Sequence, residues 1–349
     1  MAGIRARGEE IRQFILDTVA KSPSDVVRIA ADRFNITRQA VNVHIQRLIE
    51  QKALLAEGNT RKRTYRLRPM LEWQEVYAIQ PGLAEDRAWR EDVAPHLGQL
   101  PDNVLDVWHY GFTEMFNNAI DHSDGAQIRV SLKMSAISAE LLIDDDGEGI
   151  FRRIQRILGL EDERHAVLEL AKGKLTTDPD NHTGEGIYFS SRMFEQFEIL
   201  SGGVYFSHEH KKPEDWILER PHPNAGTTVF MQLANNSART VKKVFDKYTA
   251  GEDFGFNKTV VPVNLARYGN ERLVSRSQAK RLLARVDRFK IVIFDFQDVD
   301  RIGQAFADEV FRVFKQQHPE MQLHFINTVP DVQDMIIRAL GSDAAPGQA

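Results

Sequence analysis

Phe112-Thr113-Glu114-Met115-Phe116-Asn117-Asn118-Ala119-Ile120-Asp121-His122-Ser123 is the stretch that organises the chain. As a helix it sets Glu114, Asn118 and His122 at i, i+4 and i+8. The three share one face, with neighbouring Cβ atoms about 5–6 Å apart. Met115, Phe116, Ala119 and Ile120 form an apolar back. A carboxylate and an amide oxygen then point the same way from a helix anchored in a core. Such a pair suits polarisation of water by Glu114 and ligation of Mg²⁺, a hard cation that prefers oxygen, by Asn118. Taken alone, the same stretch fits an ordinary amphipathic helix with a polar outer face.

Two later stretches bear on that choice. Ile143-Asp144-Asp145-Asp146-Gly147-Glu148-Gly149-Ile150 puts an acidic Asp-x-Gly-x-Gly directly after an apolar strand, and Thr183-Gly184-Glu185-Gly186-Ile187 opens a helical pattern with a second Gly-x-Gly. Glycine-rich turns are frequent singly. The order is what is specific: Glu-x-x-x-Asn-Ala-x-x-His, Asp-x-Gly-x-Gly, Gly-x-Gly, then Gly226-Thr227-Thr228-Val229 at the start of a strand. Over roughly residues 102–233 this set resembles the ATP-binding domain shared by gyrase, the ninety-kilodalton heat-shock chaperone, histidine kinases and MutL. It is most similar to the histidine-kinase-like and anti-sigma-factor branch.

The resemblance implies ATP and Mg²⁺ as cofactors. It implies that Asp145 accepts a hydrogen bond from the adenine amino group, an interaction of about 1.5–3 kcal/mol when one partner is charged. It assigns Gly147, Gly149, Gly184, Gly186 and Thr227 to the nucleotide, Asn118 to the metal and Glu114 to catalysis. Glycines at 147 and 149 let backbone approach a ring that a Cβ would strike, and N–H groups at the helix start after Gly186 suit a triphosphate. No Gly-Lys-Ser/Thr follows the glycines, so this is not a Walker A loop. Phe151 to His182 takes the place of the segment that covers the nucleotide in that family. Within it Ala166 to Ala171 reads as a helix, and Lys172 or Lys174 is either a phosphate contact or a solvated loop lysine.

The remaining sequence sets the limits. At 349 residues the chain implies two or three domains. No apolar run reaches ~18 residues and the N-terminus lacks a signal-peptide core, so no membrane span is expected and a cytoplasmic location fits. The absence of cysteine excludes disulfides, Cys-based zinc sites and thiol chemistry. Residues 1–70 carry 14 Lys and Arg against 7 Asp and Glu, within a chain of net charge −5. A basic head on an acidic body suits a polyanionic partner.

In that head Ile11, Ile15 and Val19 mark one helix. Val26, Ala30 and Phe34 mark a second with Ser24 as its cap. Val41, Ile45, Leu48 and Ile49 mark a third capped by Thr37. A two-stranded wing follows Leu54-Leu55. The whole resembles a winged helix-turn-helix. This implies DNA as a partner, with Arg38, Gln39 and Asn42 reaching base edges and Arg61, Lys62 and Arg63 on phosphates. Winged helices also serve as protein-docking modules, and that alternative stays open.

After a polar stretch from Ala234, strand-like Val260–Leu265, Ile291–Phe296 and Leu323–Ile326 alternate with helical Ser275–Val286, Ile302–Phe314 and Val332–Leu340, an α/β layer. Asp295-Phe296 followed by Gly303-Gln304-Ala305-Phe306-Ala307-Asp308 resembles STAS-like domains related to anti-sigma-factor antagonists. No Ser or Thr lies between Ile291 and Ile326, so the phosphorylation switch of those antagonists is not expected, and a docking role for a protein partner is. His208, Glu209, His210 and His222 read as an exposed hairpin rather than a metal site.

The expected fold class is α+β, divided as 1–69 winged helix-turn-helix, 70–101 connector, 102–233 ATP-binding domain, 234–257 linker, 258–340 STAS-like domain and 341–349 disordered tail. The connector has no room for a helical hairpin bearing a phospho-accepting His, so the histidine-kinase likeness stops at the ATP domain. The expected function is an ATP-binding, slowly ATP-hydrolysing regulator that couples nucleotide state to DNA binding. A Ser/Thr protein kinase of the anti-sigma type and an ATP-driven dimer clamp, hence a homodimer, are the alternatives.

Overall fold

The structure, a computed structural model, describes residues 2–59, 63–98, 100–175, 184–209, 215–249, 256–267 and 272–341. Arg61, Lys62, the 176–183 part of the expected nucleotide cover, His210, the side chain of His222 and the tail from 342 lie outside the described residues. The architecture is mixed α and β, with three separate sheets among the described residues.

The head comprises α1 (Ala2–Lys21), α2 (Val26–Phe34), α3 (Arg38–Glu50) and an antiparallel ribbon of β1 (Leu54–Glu57) and β2 (Thr64–Leu67). Ile11, Ile15, Val19, Val26, Ala30, Val41, Ile45 and Leu48 are buried together, as their helical spacing requires. Thr37 Oγ1 accepts from Ala40 N at 3.2 Å and caps α3. The cap residue of α2 is Asp25, not Ser24, and it makes no side-chain cap bond. Asn35, at φ 50°, turns the chain between α2 and α3. Ala136 and Ile137, from outside the head, complete this small core.

The second sheet is antiparallel, in the order β3-β4-β5-β7-β6: β3 (Leu71–Ala78), β4 (Gln127–Met134), β5 (Ser138–Asp145), β6 (Gln196–Glu209) and β7 (Asp215–Ala234). Strand β3 falls where a connector is expected. Its alternation of partly buried Leu71, Trp73 and Tyr77 with exposed residues is that of an edge strand, and it pairs from Leu71 opposite Met134 to Ala78 opposite Gln127. The short helices α4 (Glu85–Ala88) and α5 (Ala94–Leu97), joined through a π turn, lead to α6 (Asp102–His122), the long helix that holds the opening stretch. Two helices, α7 (Ile150–Leu158) and α8 (Glu163–Lys172), follow the first glycine box, and α9 (Gly186–Met193) follows the second.

The polar stretch after Ala234 contains α10 (Val241–Tyr248). Its Phe245 packs on Phe189 with ring centroids 4.1 Å apart and on Tyr110 at 5.6 Å. Four apolar residues at helical spacing outweigh the polar average there. The third sheet is parallel, in the order β10-β9-β8: β8 (Lys258–Pro262), β9 (Ile291–Asp295) and β10 (Gln322–Ile326). Between and after these strands lie α11 (Arg276–Leu283), α12 (Gln304–Ala307), α13 (Phe314–Gln317) and α14 (Pro330–Leu340), so each parallel pair is joined by a helical crossover. A single apolar core runs from Ala88 to Ile336 through both sheets. Among the described residues no helix is long and apolar enough to cross a membrane.

Candidate functional site

Helix α6 is fixed from behind by Trp108, Phe112 and Phe116, all fully buried. A Cβ on Gly111 would overlap the Phe194 ring, so this glycine lets α9's end close on α6. In front, Glu114, Asn118 and His122 line a cavity of about 280 Å³ together with Asp145, Gly184, Gly186 and Thr227. That volume lies near the lower end for small-molecule pockets. Met115 and Ala119, expected on the apolar back, also reach the cavity and give it an apolar floor with Ile143, Leu170 and Leu175.

Asp145 ends β5 and is 7 % exposed. Its Oδ1 accepts from Gly147 N at 3.0 Å and Thr227 N at 3.1 Å. Burial pushes its carboxyl up to about 6, against the two N–H donors, with Asp144 and Asp146 adding to the rise. Thr227 in turn accepts from Ile150 N at 2.9 Å and ties β7 to the start of α7.

The glycines divide into two jobs. Gly184 and Gly186 border the cavity, whereas Gly147 and Gly149 do not. A Cβ on Gly147 would overlap the Ser123 carbonyl, which also accepts from Glu148 N at 2.8 Å. Gly149, at φ 92°, lies against Ser201 Oγ and the Gly226 carbonyl. These two glycines therefore dock the turn after Asp145 onto the end of α6 and the middle of β6 and β7. Gly147→Ala is expected to cost about 3 kcal/mol of stability by overpacking against backbone. Gly159→Ala, at φ 64° with open space around it, should cost only about 1–2 kcal/mol. Denaturant titration of the two variants checks the difference.

A Cβ on Gly186 would overlap the Glu114 carboxylate, so Glu114 stands against the first turn of α9. The positive end of that helix faces the carboxylate. Burial raises the half-buried Glu185 carboxyl, opposed by Lys174. Burial also raises the Tyr110 hydroxyl, helped by the charges of Glu114 and Glu185.

Of the two lysines of the cover segment, one is buried and one is half-buried. Lys172 is 1 % exposed, and Lys174 donates to the Arg288 carbonyl at 3.1 Å while lying over the Phe289 ring. Two polar residues at the cavity are not among those expected from the sequence: Ser123, which follows α6, and Arg153 of α7, whose Nη1 reaches Asp124 Oδ2 at 2.5 Å. The helical spacing of Phe151, Ile154 and Leu158 around Arg153 was the available signal. In the head, Arg38, Gln39 and Asn42 are exposed on the first turns of α3, beside Val43 at 54 % exposure, and Arg63 is exposed 5.8 Å from the Tyr65 ring. Among the described residues no three His, Asp or Glu side chains form a metal-binding group.

No curated protein matches the chain. A family model described as a STAS-like domain of unknown function (DUF4325) matches residues 278–333, from the first turn of α11 to the first turn of α14, so the C-terminal part of the chain carries a STAS-like domain.

Proposed function

We propose that the chain is an ATP-binding regulator of the gyrase, chaperone, histidine kinase and MutL type, in which nucleotide state biases DNA binding by a winged helix-turn-helix head. The observation that carries this reading is convergence. Glu114, Asn118, Asp145, Gly186 and Thr227 come from four separate sequence boxes and line one cavity. The donor set fits the ligand: a buried carboxylate for an exocyclic amine, apolar walls for a purine, and an amide oxygen beside a carboxylate for a Mg²⁺-bound phosphate chain. Asn118 would hold Mg²⁺, which supplies charge neutralisation on the phosphates. Glu114 orients and deprotonates the attacking group, Asp145 selects adenine, and Leu170, Leu175 and Met115 keep water from the ring.

Calorimetric titration with ATP and GTP in Mg²⁺ tests the reading. Binding of ATP in preference to GTP is expected, and no binding of either removes it. A second reading, transfer of phosphate to a partner protein, is favoured by the STAS-like domain, since the notion of an anti-sigma-type kinase with a built-in adaptor accounts for that domain directly. With γ-labelled ATP, free phosphate supports the switch and labelled protein supports the kinase. Light scattering with a non-hydrolysable analogue tests the dimer clamp.

For the head, the exposed row Arg38, Gln39 and Asn42 supports a helix read against a major groove, with Arg63 beside the backbone. DNA retention in a gel shift is expected to weaken by about tenfold or more between low and physiological salt if several phosphates are contacted. No retention at low salt removes DNA from the proposal and leaves protein docking.

A further inference from the structure

The wall of the cavity at Leu170 and Leu175 belongs to a strap, residues 170–175, that the C-terminal unit holds from behind. Lys172 is its pin. This lysine is buried among apolar groups, yet its ammonium donates to Glu169 Oε1 at 2.7 Å, to the Arg281 carbonyl at 3.0 Å and to the Ala284 carbonyl at 2.8 Å. An ammonium has three N–H donors, and each has an acceptor. Burial, with the Arg285 charge adding to it, pulls Lys172 toward the neutral form, and Glu169 opposes; a neutral amine would leave one of the three acceptors without its donor.

Arg281 and Ala284 are the last turn and the C-cap of α11. Carbonyls there carry the negative end of the helix; that of Arg281 accepts from Ala284 N at 3.3 Å and takes Lys172 as a second donor. A lysine of α8 thus caps a helix of the STAS-like unit 109 and 112 residues further along the chain. Glu169 also faces Arg285 at 3.7 Å. Thr259 of β8, fully buried, donates to the Lys172 carbonyl at 2.6 Å. Gly173 follows at φ 83°, where a Cβ would press on Phe256 at 2.7 Å and Tyr188 at 3.0 Å. Lys174 and Arg288 then exchange bonds: Lys174 Nζ to the Arg288 carbonyl at 3.1 Å, Arg288 Nη1 to the Lys174 carbonyl at 2.9 Å. The next residue, Leu175, lines the cavity and donates from its N–H to the Gly184 carbonyl at 3.1 Å.

We propose that the STAS-like unit is a built-in positioning element of the nucleotide site, so that occupancy of the cavity and order at the end of α11 are coupled through Lys172 and the Lys174–Arg288 exchange. The proposal rests on the nucleotide reading above and names how that site is regulated: whatever loosens α11 from Lys172 weakens nucleotide binding, and by linkage nucleotide tightens α11. Ordering one end of the strap lowers the entropy lost in ordering the other. Arg288 is a positioning residue, exposed and not itself part of the cavity lining.

Hydrogen exchange on the full chain, with and without a saturating non-hydrolysable ATP analogue and Mg²⁺, gives the test. Slower exchange over 276–288, none of which lines the cavity, is expected on binding. Arg288→Ala is expected to lower nucleotide affinity about fivefold or more with the melting temperature of the nucleotide-free chain unchanged. Arg288→Lys, which keeps a donor for the Lys174 carbonyl, is expected to recover most of it. Calorimetric binding with unchanged exchange over 276–288, or unaltered affinity in Arg288→Ala, overturns the coupling while leaving the nucleotide site standing. Absence of binding to the parent chain overturns the nucleotide reading, and the coupling with it.

Discussion

Asp145→Asn is expected to abolish adenine-nucleotide binding while leaving the empty chain at least as stable as the parent. The carboxyl is displaced upward from 3.8 to about 6, chiefly by burial, so its ionised form at neutral pH is held at a cost of about 3 kcal/mol. The amide has the same shape and carries no charge. Its oxygen still accepts from the Gly147 and Thr227 N–H groups, which turns its NH₂ toward the ligand. A donor then meets the adenine amino donor. Loss of a charge-assisted bond of about 1.5–3 kcal/mol, with an unpaired donor added, predicts a fall in affinity of about a hundredfold or more.

The pH dependence has a definite sign. Between 3.8 and about 6 the folded chain holds more of this proton than the unfolded chain, so the contribution of Asp145 to stability falls as pH rises through that window. It is flat above the window. In Asp145→Asn that component is absent. Denaturation midpoints of both proteins from pH 4 to 7, with calorimetry for the ligand, check the result. A variant that binds ATP like the parent removes Asp145 from the site.

Glu114→Gln is expected to bind ATP with affinity near that of the parent and to lose turnover about a hundredfold or more, the range for removal of a positioned general base. The substitution keeps the side-chain volume, which matters because Gly186 leaves the carboxylate no room to spare. It also keeps the place of the group one helical turn before Asn118. It removes the negative charge that faces the start of α9. Release of labelled phosphate from γ-labelled ATP, alongside calorimetry, separates the two effects. Undiminished turnover assigns the base elsewhere. Loss of binding together with turnover assigns Glu114 to the ground-state complex instead.

The face of α6 is legible because a polar triad at i, i+4 and i+8 is a local pattern. The Asp145 turn was legible for the same reason, although the missing Cβ of Gly147 serves contact with Ser123 rather than with a ligand. Strand β3 and helix α10 were hidden by composition: an exposed edge strand and a helix with one apolar stripe both average to polar linkers. Lys172, expected as a phosphate contact or a solvated loop lysine, is buried at the end of α8; its acceptors, Arg281 and Ala284, lie in another part of the chain and no single-sequence pattern joins them. Arg153 lies on α7, a helix that the sequence reading leaves unmarked, since within 151–182 it places a helix only over Ala166–Ala171.

The β4–β5 hairpin has one further consequence. Its tip, Ala136 and Ile137, plugs the small core of the head, while the far end of β5 carries Asp145. Strand β2 also runs almost at once into β3, where Met70 N donates to the Met134 carbonyl at 2.7 Å. Severing the chain near residue 69 to obtain the ATP-binding part by itself would strip Ile137 of its cover and leave a sticky knob in water. A truncated protein intended for crystallisation should therefore carry Ile137→Ser, and the detached head should be made with a soluble surrogate for that tip.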